Sequence, residues 1–479
     1  MTMTHSAEER SEGASVVSQG DSKVPPKPNR HGWGTRHLVG GPDESPTPPK
    51  DGGMGHAPVA RLSVVAQNIE AVFGVGRVSM GFHPSDVTNA GVGLITMPDV
   101  ATTVAAAAGQ RLIPAPALKR DSFSRIPELD GIRAIAIWMV MVMHAVIAFP
   151  YPKTINRFLY LVIGHGWLGV DLFFVLSGFL ITGILLDAKG KSGYFKIFYG
   201  RRIFRIMPLY FAMVIIWSFF YRHYGSYFLL SSVFLANFAP LLHIRMPHGP
   251  STLWSLAIEE QFYVVWPWLV LLLSRRRLVI AAASIVVLEP LIRAIHAYYG
   301  LDPNFIYNLT WCRCDGLATG ALLAIWVRSS YFSERSNHRV IAYLLSALAL
   351  LTLVGLPFGV MRGYTVAGTS LRYTQAYLFY AACFALTLTY QGSVWTSPLR
   401  WSFIRLSGAL SYCLYLIHIS VGQIYQATIG EKLPVTMPAV FLRAVAMITA
   451  AILLAMISKR FLEDPCLRLK DRLFPVRRT

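Results

Sequence analysis

The sequence predicts an all-α protein, a polytopic membrane bundle of about ten transmembrane helices preceded by a disordered N-terminal extension. Hydrophobic residues make up 54% of the 479 residues and charged residues only 14%, whereas charged residues are roughly 25% of a typical soluble domain. The basic residues, which give a formal net charge of +19, fall in short loops between apolar stretches. This distribution follows the positive-inside rule of membrane proteins, so the charge does not indicate a nucleic-acid partner.

The composition divides the chain into three parts. Residues 1–120 are rich in Pro, Gly, Ser and mixed charges and have no periodic apolar face, which predicts disorder because little surface can be buried. Two interpretations of this extension remain open: a start assigned too early, with Met97 as a later start, or a cytoplasmic interaction tail. Residues 121–470 form the predicted membrane domain, and 471–479 form a basic cytoplasmic tail.

Ten apolar stretches are long enough to cross a bilayer as helices of about 20 residues. They lie near 129–149, 167–187, 207–222, 254–273, 278–299, 306–327, 340–359, 372–391, 405–427 and 436–458. An eleventh stretch, 228–242, is short. If it lies outside the membrane or re-enters it, every strongly basic loop is on one face. We therefore predict a multi-pass protein of the bacterial inner membrane with both termini in the cytoplasm.

Two ionisable residues interrupt the first apolar stretch. Arg133 and His144 are eleven positions apart, which is about three turns and roughly 16 Å along one face of a helix. An ionisable residue inside a membrane helix is costly and is a candidate functional residue. Arg133 is predicted at the membrane edge and His144 in the interior. The alternative for His144 is a structural histidine satisfied by a neighbouring helix.

Other ionisable residues are predicted at nearly the same depth as His144. Counting residues from each predicted membrane edge places them in one layer, which indicates a polar cavity. The alternative is a set of separate structural groups, with Asp171 simply paired with Arg313. The candidates for this layer are His144, Asp171, Glu259, Glu260, Arg313, Asp315 and His418, and Tyr412 is a further candidate for lining the cavity.

A basic cluster occurs near the start of the third apolar stretch, in YGRRIFRIMPLYF. Arg202 and Arg205 are three residues apart, so a helix would present them on one face. Guanidinium groups match phosphate oxygens, which makes this pair a candidate phosphate clamp. The alternative is a basic helix end that only anchors the protein at the membrane surface.

Six blocks occur in order along the membrane portion. They are LDGIRAIAIWMVMVMHA, GVDLFFVLSGFLIT, LWSLAIEEQFY, RCDGLATGALLA, LSYCLYLIH and FLEDPCLRLK. Together they resemble the acyltransferase-3 family of integral membrane O-acyltransferases, and the resemblance starts near Ile126. It is to the stand-alone form, because no fused SGNH-type hydrolase domain is expected after the last helix.

The resemblance implies transfer of an acyl group from cytoplasmic acyl-CoA to a hydroxyl of a carbohydrate. The acyl group is most simply acetyl, and the acceptor is an extracytoplasmic or lipid-linked glycan such as exopolysaccharide or lipopolysaccharide. Acetyl-CoA is then a co-substrate, and no tightly bound cofactor or metal is expected. Two alternatives remain: a transporter or channel that uses the buried charges, and an acyl-relay subunit for a separate transferase.

The resemblance also implies roles for individual residues. An Arg-x-x-Arg motif associated with the acyl donor falls on Arg202 and Arg205, and Arg133 is the third candidate donor-binding residue. His144 is the candidate general base, because an imidazole can take and return a proton near neutrality. We expect Glu259 to orient or charge-balance His144. Asp171 is the third candidate catalytic residue.

Overall fold

The computed structural model describes residues 126–147, 162–329, 332, 340–341, 343–348, 350 and 365–475. Within these ranges all regular secondary structure is helical and no strand occurs, which confirms the all-α prediction. The predicted extension at 1–120 and the end of the basic tail, from 476 onward, lie outside the described residues.

The helices named here are numbered in chain order. Their bounds are α1 (Pro127–Ile147), α2 (Leu168–Ala188), α3 (Tyr194–Phe220), α4 (Gly225–Ser232), α5 (Leu253–Leu272), α6 (Arg275–Tyr298), α7 (Pro303–Asn308), α8 (Cys314–Val327), α9 (Val366–Thr389), α10 (Ser402–Thr428), α11 (Met437–Ser458) and α12 (Asp464–Leu473). A π-helical turn, Lys459–Glu463, joins α11 to α12. Helical backbone also occurs within 340–350.

Six helical segments in the described ranges are long and apolar enough to cross a membrane, and they contain α1, α2, α3, α6, α10 and α11. The α5 and α9 helices have 20 and 24 residues but are more polar, and α8 is a shorter apolar helix. Helix is present in every predicted span, although the span at 340–359 is only partly described. The chain is therefore a multi-pass membrane protein.

The prediction of one continuous helix over 306–327 is wrong. The chain forms α7, then a 3₁₀ turn at Thr310–Cys312, and α8 starts only at Cys314. Arg313, which separates the turn from α8, has φ −139°, far from the α-helical value near −63°. Apolar composition does not reveal such a break, because it records compatibility with lipid rather than backbone dihedral angles.

The third span also differs from its prediction, since α3 starts at Tyr194 rather than near 207. Its first turns are the basic stretch that hydropathy alone had assigned to a loop. By contrast, the segment 228–242 contains only the end of α4 and a 3₁₀ turn at Ala236–Phe238. Eight helical residues in α4 extend about 12 Å, too short to cross a bilayer core of about 30 Å.

Glycines set the closest helix contacts. A Cβ atom on Gly178 of α2 would lie 1.9 Å from a carbonyl oxygen of α8, and one on Gly320 of α8 would lie 2.0 Å from a carbonyl oxygen of α2. A Cβ on Gly408 of α10 would lie 1.9 Å from the carbonyl oxygen of Asp130 in α1. Small residues allow this approach, as is common in membrane helix bundles.

One end of the bundle gathers the basic loops that were predicted to share a face. Polar contacts between helix ends connect them: Arg400 with Glu128 (3.6 Å), Arg328 with Asp187 (2.8 Å), Arg201 with Asp471 (2.9 Å), Lys189 Nζ with the carbonyl of Val270 (2.6 Å), and Arg275 with the carbonyl of Ile325 (2.7 Å). We call this the basic end. The opposite end carries the C-terminus of α1 and the N-termini of α2 and α9.

Candidate active site

A cleft of about 110 Å³ lies between α1, α2, α3, α5 and α10. Its lining includes all three candidate donor-binding arginines, Arg133, Arg202 and Arg205, together with Glu259 and Tyr412. The remaining lining combines apolar side chains with hydroxyl groups: Val170, Phe173, Phe174, Leu176, Ser177, Leu180, Ile181, Ile206, Ser255, Leu256, Tyr263, Ser411 and Tyr415. The arginines of α1 and α3 therefore meet in one cleft, near the basic end.

The arginines differ in how they are held. Arg133 forms a 2.8 Å ion pair with Asp130, one turn earlier in α1. The guanidinium of Arg202 lies 5.2 Å from the ring centroid of Tyr263 and has no carboxylate or carbonyl acceptor among the described residues. Arg205, three positions further along α3, is exposed. An incoming anion can therefore find donors on Arg202 and Arg205 that no protein group occupies.

Glu259 belongs to this cleft and not to the surroundings of His144. One carboxylate oxygen accepts a 2.8 Å hydrogen bond from Ser177 Oγ, and the other accepts one of 3.1 Å from Tyr263 OH. The expectation that Glu259 orients His144 is corrected, because Nδ1 of His144 is held by the Val140 carbonyl and His418. A charge-balancing role for Glu259 stays a prediction. Its position beside Arg202 makes it the negative group of an otherwise basic site.

His144 is held by a second histidine. His144 Nδ1 lies 2.9 Å from the carbonyl oxygen of Val140 and 3.2 Å from His418 Nε2. His418 Nδ1 lies 3.0 Å from the carbonyl of Leu414 and 2.9 Å from that of Tyr415. The two imidazole rings meet edge to face, with centroids 4.9 Å apart.

These contacts define the tautomers of the histidine pair. Carbonyl oxygens only accept, so His418 must carry its proton on Nδ1, which leaves a lone pair on Nε2. That lone pair faces His144 Nδ1, which must therefore carry the proton of the neutral ring. The unshared lone pair of His144 is then on Nε2, where a general base needs it. Sequence reasoning placed His418 at this depth but did not identify it as the partner of His144.

The cleft leads towards the histidine pair. Tyr415 lines it and accepts or donates a 2.6 Å hydrogen bond with Ser255. The ring centroid of Tyr415 is 6.0 Å from that of His418. One aromatic side chain therefore separates the arginine-bearing cleft from the histidines. A small recess on the far side of His418 is lined by Met141, Ala145, Met447 and Ile448.

Comparison with known proteins identifies the family. Residues 126–458, more than half of the chain, match the acyltransferase domain family. The chain belongs to this family. No solved structure matches it.

Three curated relatives of this acyltransferase-family chain are 27–29% identical to it over the aligned residues. The peptidoglycan O-acetyltransferase OatA of Listeria monocytogenes is 29% identical over 376 residues, 72% of this chain and 56% of OatA. YrhL of Bacillus subtilis, provisionally named a peptidoglycan O-acetyltransferase, is 29% identical over 71% of this chain and 54% of YrhL. A provisionally named O-acetyltransferase of Staphylococcus aureus is 27% identical over 71% of this chain and 57% of that relative. The chain spans about half the length of these relatives.

In this acyltransferase-family protein, Asp171 and Arg313 form a buried ion pair that links α2 to the start of α8. Both side chains are fully buried. Five aromatic rings surround the Arg313 guanidinium at 4.2–5.7 Å: Phe174, Trp254, Tyr307, Tyr373 and Tyr377. The pairing considered from the sequence is thus present, and neither group lines the cleft.

Asp315 belongs to a separate network. Its Oδ2 accepts from Arg293 at 2.9 Å, and its backbone N–H donates to Glu289 at 2.8 Å. Arg293 and Glu289 were not singled out from the sequence, although both interrupt the apolar α6 helix. Glu260 is buried outside the cleft. The predicted layer is therefore divided into the histidine pair, the Asp171–Arg313 pair, the Asp315 network, Glu259 in the arginine-bearing cleft and Glu260 outside it. In the described part of the chain, no three metal-binding side chains cluster.

Proposed function

We propose that this protein is a membrane O-acyltransferase, most simply an O-acetyltransferase. It moves the acyl group from acyl-CoA on the cytoplasmic side to a hydroxyl of an extracytoplasmic or lipid-linked carbohydrate. Family membership and the names of the relatives support acyl transfer to a glycan. The observation that carries the proposal is an arginine-bearing cleft that ends one aromatic ring away from a histidine pair.

The cleft suits the donor in charge and polarity. Phosphate groups of CoA pair with Arg202, Arg205 and Arg133, because a guanidinium donates parallel hydrogen bonds to phosphate oxygens. The pantetheine arm, with its amides, follows the mixed apolar and hydroxyl lining. Arg133 and His144 are eleven positions apart in α1, roughly 16 Å along the axis, which is comparable to the length of the extended arm. The thioester then lies near the histidines.

His144 supplies the base in this proposal. Its Nε2 takes the proton of the acceptor hydroxyl as the hydroxyl oxygen attacks the thioester carbonyl and forms the new C–O bond. The C–S bond then breaks, and the CoA thiolate leaves with the proton returned by His144. The Val140 carbonyl and His418 both accept at Nδ1 of His144, so the proton stays on Nδ1 and the lone pair on Nε2. The products are the acylated carbohydrate and free CoA.

The acceptor is proposed as a class. OatA is named a peptidoglycan O-acetyltransferase, and this chain covers about half of that protein. We therefore propose a glycan hydroxyl on the outer side, with peptidoglycan as the first candidate.

The test is transfer of radiolabel from acetyl-CoA to the glycan or lipid fraction of inverted membrane vesicles. Wild type is compared with His144→Ala, Arg202→Ala and the exposed control Arg222→Ala. We expect His144→Ala to lower the transfer rate about 10²- to 10⁴-fold. We expect Arg202→Ala to raise KM for acetyl-CoA by about one to two orders of magnitude. Arg222→Ala should behave as wild type.

Equal transfer by wild type and His144→Ala, with both proteins folded, would show that His144 is not the base. Solute movement without consumption of acetyl-CoA would instead favour a transporter. Label that stays on the protein and never reaches a glycan would favour an acyl-relay subunit.

A further inference from the structure

Buried or partly buried arginines in this bundle have carboxylate or carbonyl acceptors, with two exceptions in the described part of the chain. Those with such acceptors are Arg133, Arg201, Arg293, Arg313, Arg328, Arg400 and Arg443. The exceptions are Arg202 and Arg372. Arg202 lies in the proposed donor cleft, so its unoccupied donors have an explanation, whereas those of Arg372 have none.

Arg372 is partly buried near the start of α9 and rests on aromatic rings. Its guanidinium lies 4.5 Å from the ring centroid of Tyr373 and 5.4 Å from that of Trp167. One terminal nitrogen donates to the hydroxyl of Tyr373, and the buried Nε has no hydrogen-bond partner. An arginine in a membrane helix without a counter-ion is costly and is therefore a candidate functional residue.

The aromatic rings form a partly exposed surface beside Arg372. Trp167 packs edge-to-face on Tyr373 at 5.7 Å and on Tyr307 at 6.3 Å. Trp167 and Tyr307 are only partly buried. Aromatic faces carry negative charge density, so the polarised C–H groups of a sugar ring pack favourably on them.

This cluster lies beside the turn that carries His144. Trp167 follows Gly166, where a Cβ atom would lie 2.2 Å from the carbonyl oxygen of Met139 and 2.6 Å from Cβ of Met143. Met143 immediately precedes His144 in α1. Because Trp167 precedes α2 and Arg372 is near the N-terminus of α9, the cluster lies at the end of the bundle opposite the basic end.

We propose that Arg372, Trp167 and Tyr307 form a binding subsite for an acidic saccharide. A sugar ring packs on the partly exposed rings of Trp167 and Tyr307, and its carboxylate accepts hydrogen bonds from the terminal nitrogens of the Arg372 guanidinium. The assignment of this saccharide as part of the acyl acceptor rests on the proposed function. The binding site itself does not, because it follows from the unpaired arginine and its rings.

The test measures binding to the full-length protein in phosphatidylcholine nanodiscs. One probe is a tetrasaccharide of alternating glucuronic acid and N-acetylglucosamine, and the other is the same tetrasaccharide with its carboxyl groups reduced to alcohols. We expect wild type to bind the acidic probe about tenfold more tightly. Arg372→Gln should abolish this preference without weakening the neutral probe, and Trp167→Ala should weaken both. Arg222→Gln, an exposed arginine at the same end, should retain the preference.

Equal binding of the two probes by wild type would overturn the proposal, whatever the variants do. Loss of the preference in wild type when phosphatidylglycerol is added would also overturn it, since a lipid headgroup would then be the occupant. Consumption of acetyl-CoA is measured in the inverted membrane vesicles of the transfer assay, which contain the glycan and lipid acceptors. A retained preference without acetyl-CoA consumption would leave the site in place and refute the proposed function, whereas consumption without any preference would refute the site alone.

Discussion

Two acceptors at Nδ1 of His144, the carbonyl oxygen of Val140 at 2.9 Å and Nε2 of His418 at 3.2 Å, leave Nε2 of His144 available as a base. If His418 only fills space, an apolar residue of similar size can replace it. If it helps to orient the imidazole ring of His144, a side chain that accepts a hydrogen bond from Nδ1 is needed. The two roles predict different values of kcat for His418→Ala and for His418→Gln, which keeps an acceptor.

We expect His418→Ala to lower kcat for acyl transfer by about 10- to 100-fold, because a misdirected base costs rate rather than binding. KM for acetyl-CoA should change little. His418→Gln should restore part of kcat, since its carbonyl oxygen can accept from His144 Nδ1. Steady-state kinetics of the reconstituted variants measure both constants, with His223→Ala as an exposed control. A rise in KM with unchanged kcat would contradict the positioning role.

Asp171 remains a candidate catalytic residue whose contacts favour a structural role. Removing one partner of a buried ion pair leaves an unpaired charge and costs about 3–5 kcal/mol, whereas replacing both partners by apolar residues is often neutral. We expect Asp171→Asn to lower the thermal midpoint, and the pair Asp171→Leu with Arg313→Met to recover most of it. Methionine suits a site lined by aromatic rings.

Activity of that double variant decides the role of Asp171. We expect acyl transfer to remain within about tenfold of wild type, because the carboxylate only pairs with Arg313. A folded double variant with no measurable transfer would instead assign Asp171 to the chemistry. Arg313→Met alone provides the matched control, since it leaves the carboxylate unpaired.

At the scale of elements, α2 and α8 depend on two glycines for their separation. Gly320→Ala places a methyl group 2.0 Å from a backbone carbonyl of α2, so the helices must move apart. Overpacking of this kind costs about 1–3 kcal/mol. We expect a lower thermal midpoint in detergent and weaker acyl transfer, because α2 lines the cleft along its length.

The matched control for this helix contact is Gly225→Ala. A Cβ at Gly225 meets no atom within 4 Å, and its φ of −54° is helical. Its thermal midpoint should therefore stay close to that of wild type. An unchanged midpoint for Gly320→Ala would show that the close approach of α2 and α8 does not limit stability.

At the scale of the whole molecule, apolar length predicted where helices occur but not which side chains meet. Residue counting placed His144 and His418 at one depth, and they are in contact. It also placed Glu259 there, yet Glu259 binds Ser177 and Tyr263 in the arginine cleft. The depth of a residue in the membrane follows from the rise per residue. The direction in which its side chain points around the helix axis matters only relative to the neighbouring helices, which the sequence does not reveal. Those neighbours are set by glycine contacts such as that of Gly178 in α2 with α8.

The basic end of the bundle predicts which end of the protein faces the cytoplasm. Positive loops remain in the cytoplasm, so the Arg202–Arg205 cleft should face cytoplasmic acyl-CoA and the Trp167–Arg372 cluster the outside. Lys191 is exposed at the basic end, and Tyr299 is 81% exposed at the other end. The native cysteines are buried or half-buried, so single cysteines introduced at these positions can be labelled above background.

We expect a membrane-impermeant maleimide to label Tyr299→Cys in intact cells and Lys191→Cys only after permeabilisation. The unsubstituted protein measures labelling of the native cysteines. The reverse pattern would place the arginine cleft outside, where acyl-CoA is absent, and would require a different donor. Labelling of both positions in intact cells would mean that the chain inserts in two orientations, in which case the charge bias of the loops would not determine the topology.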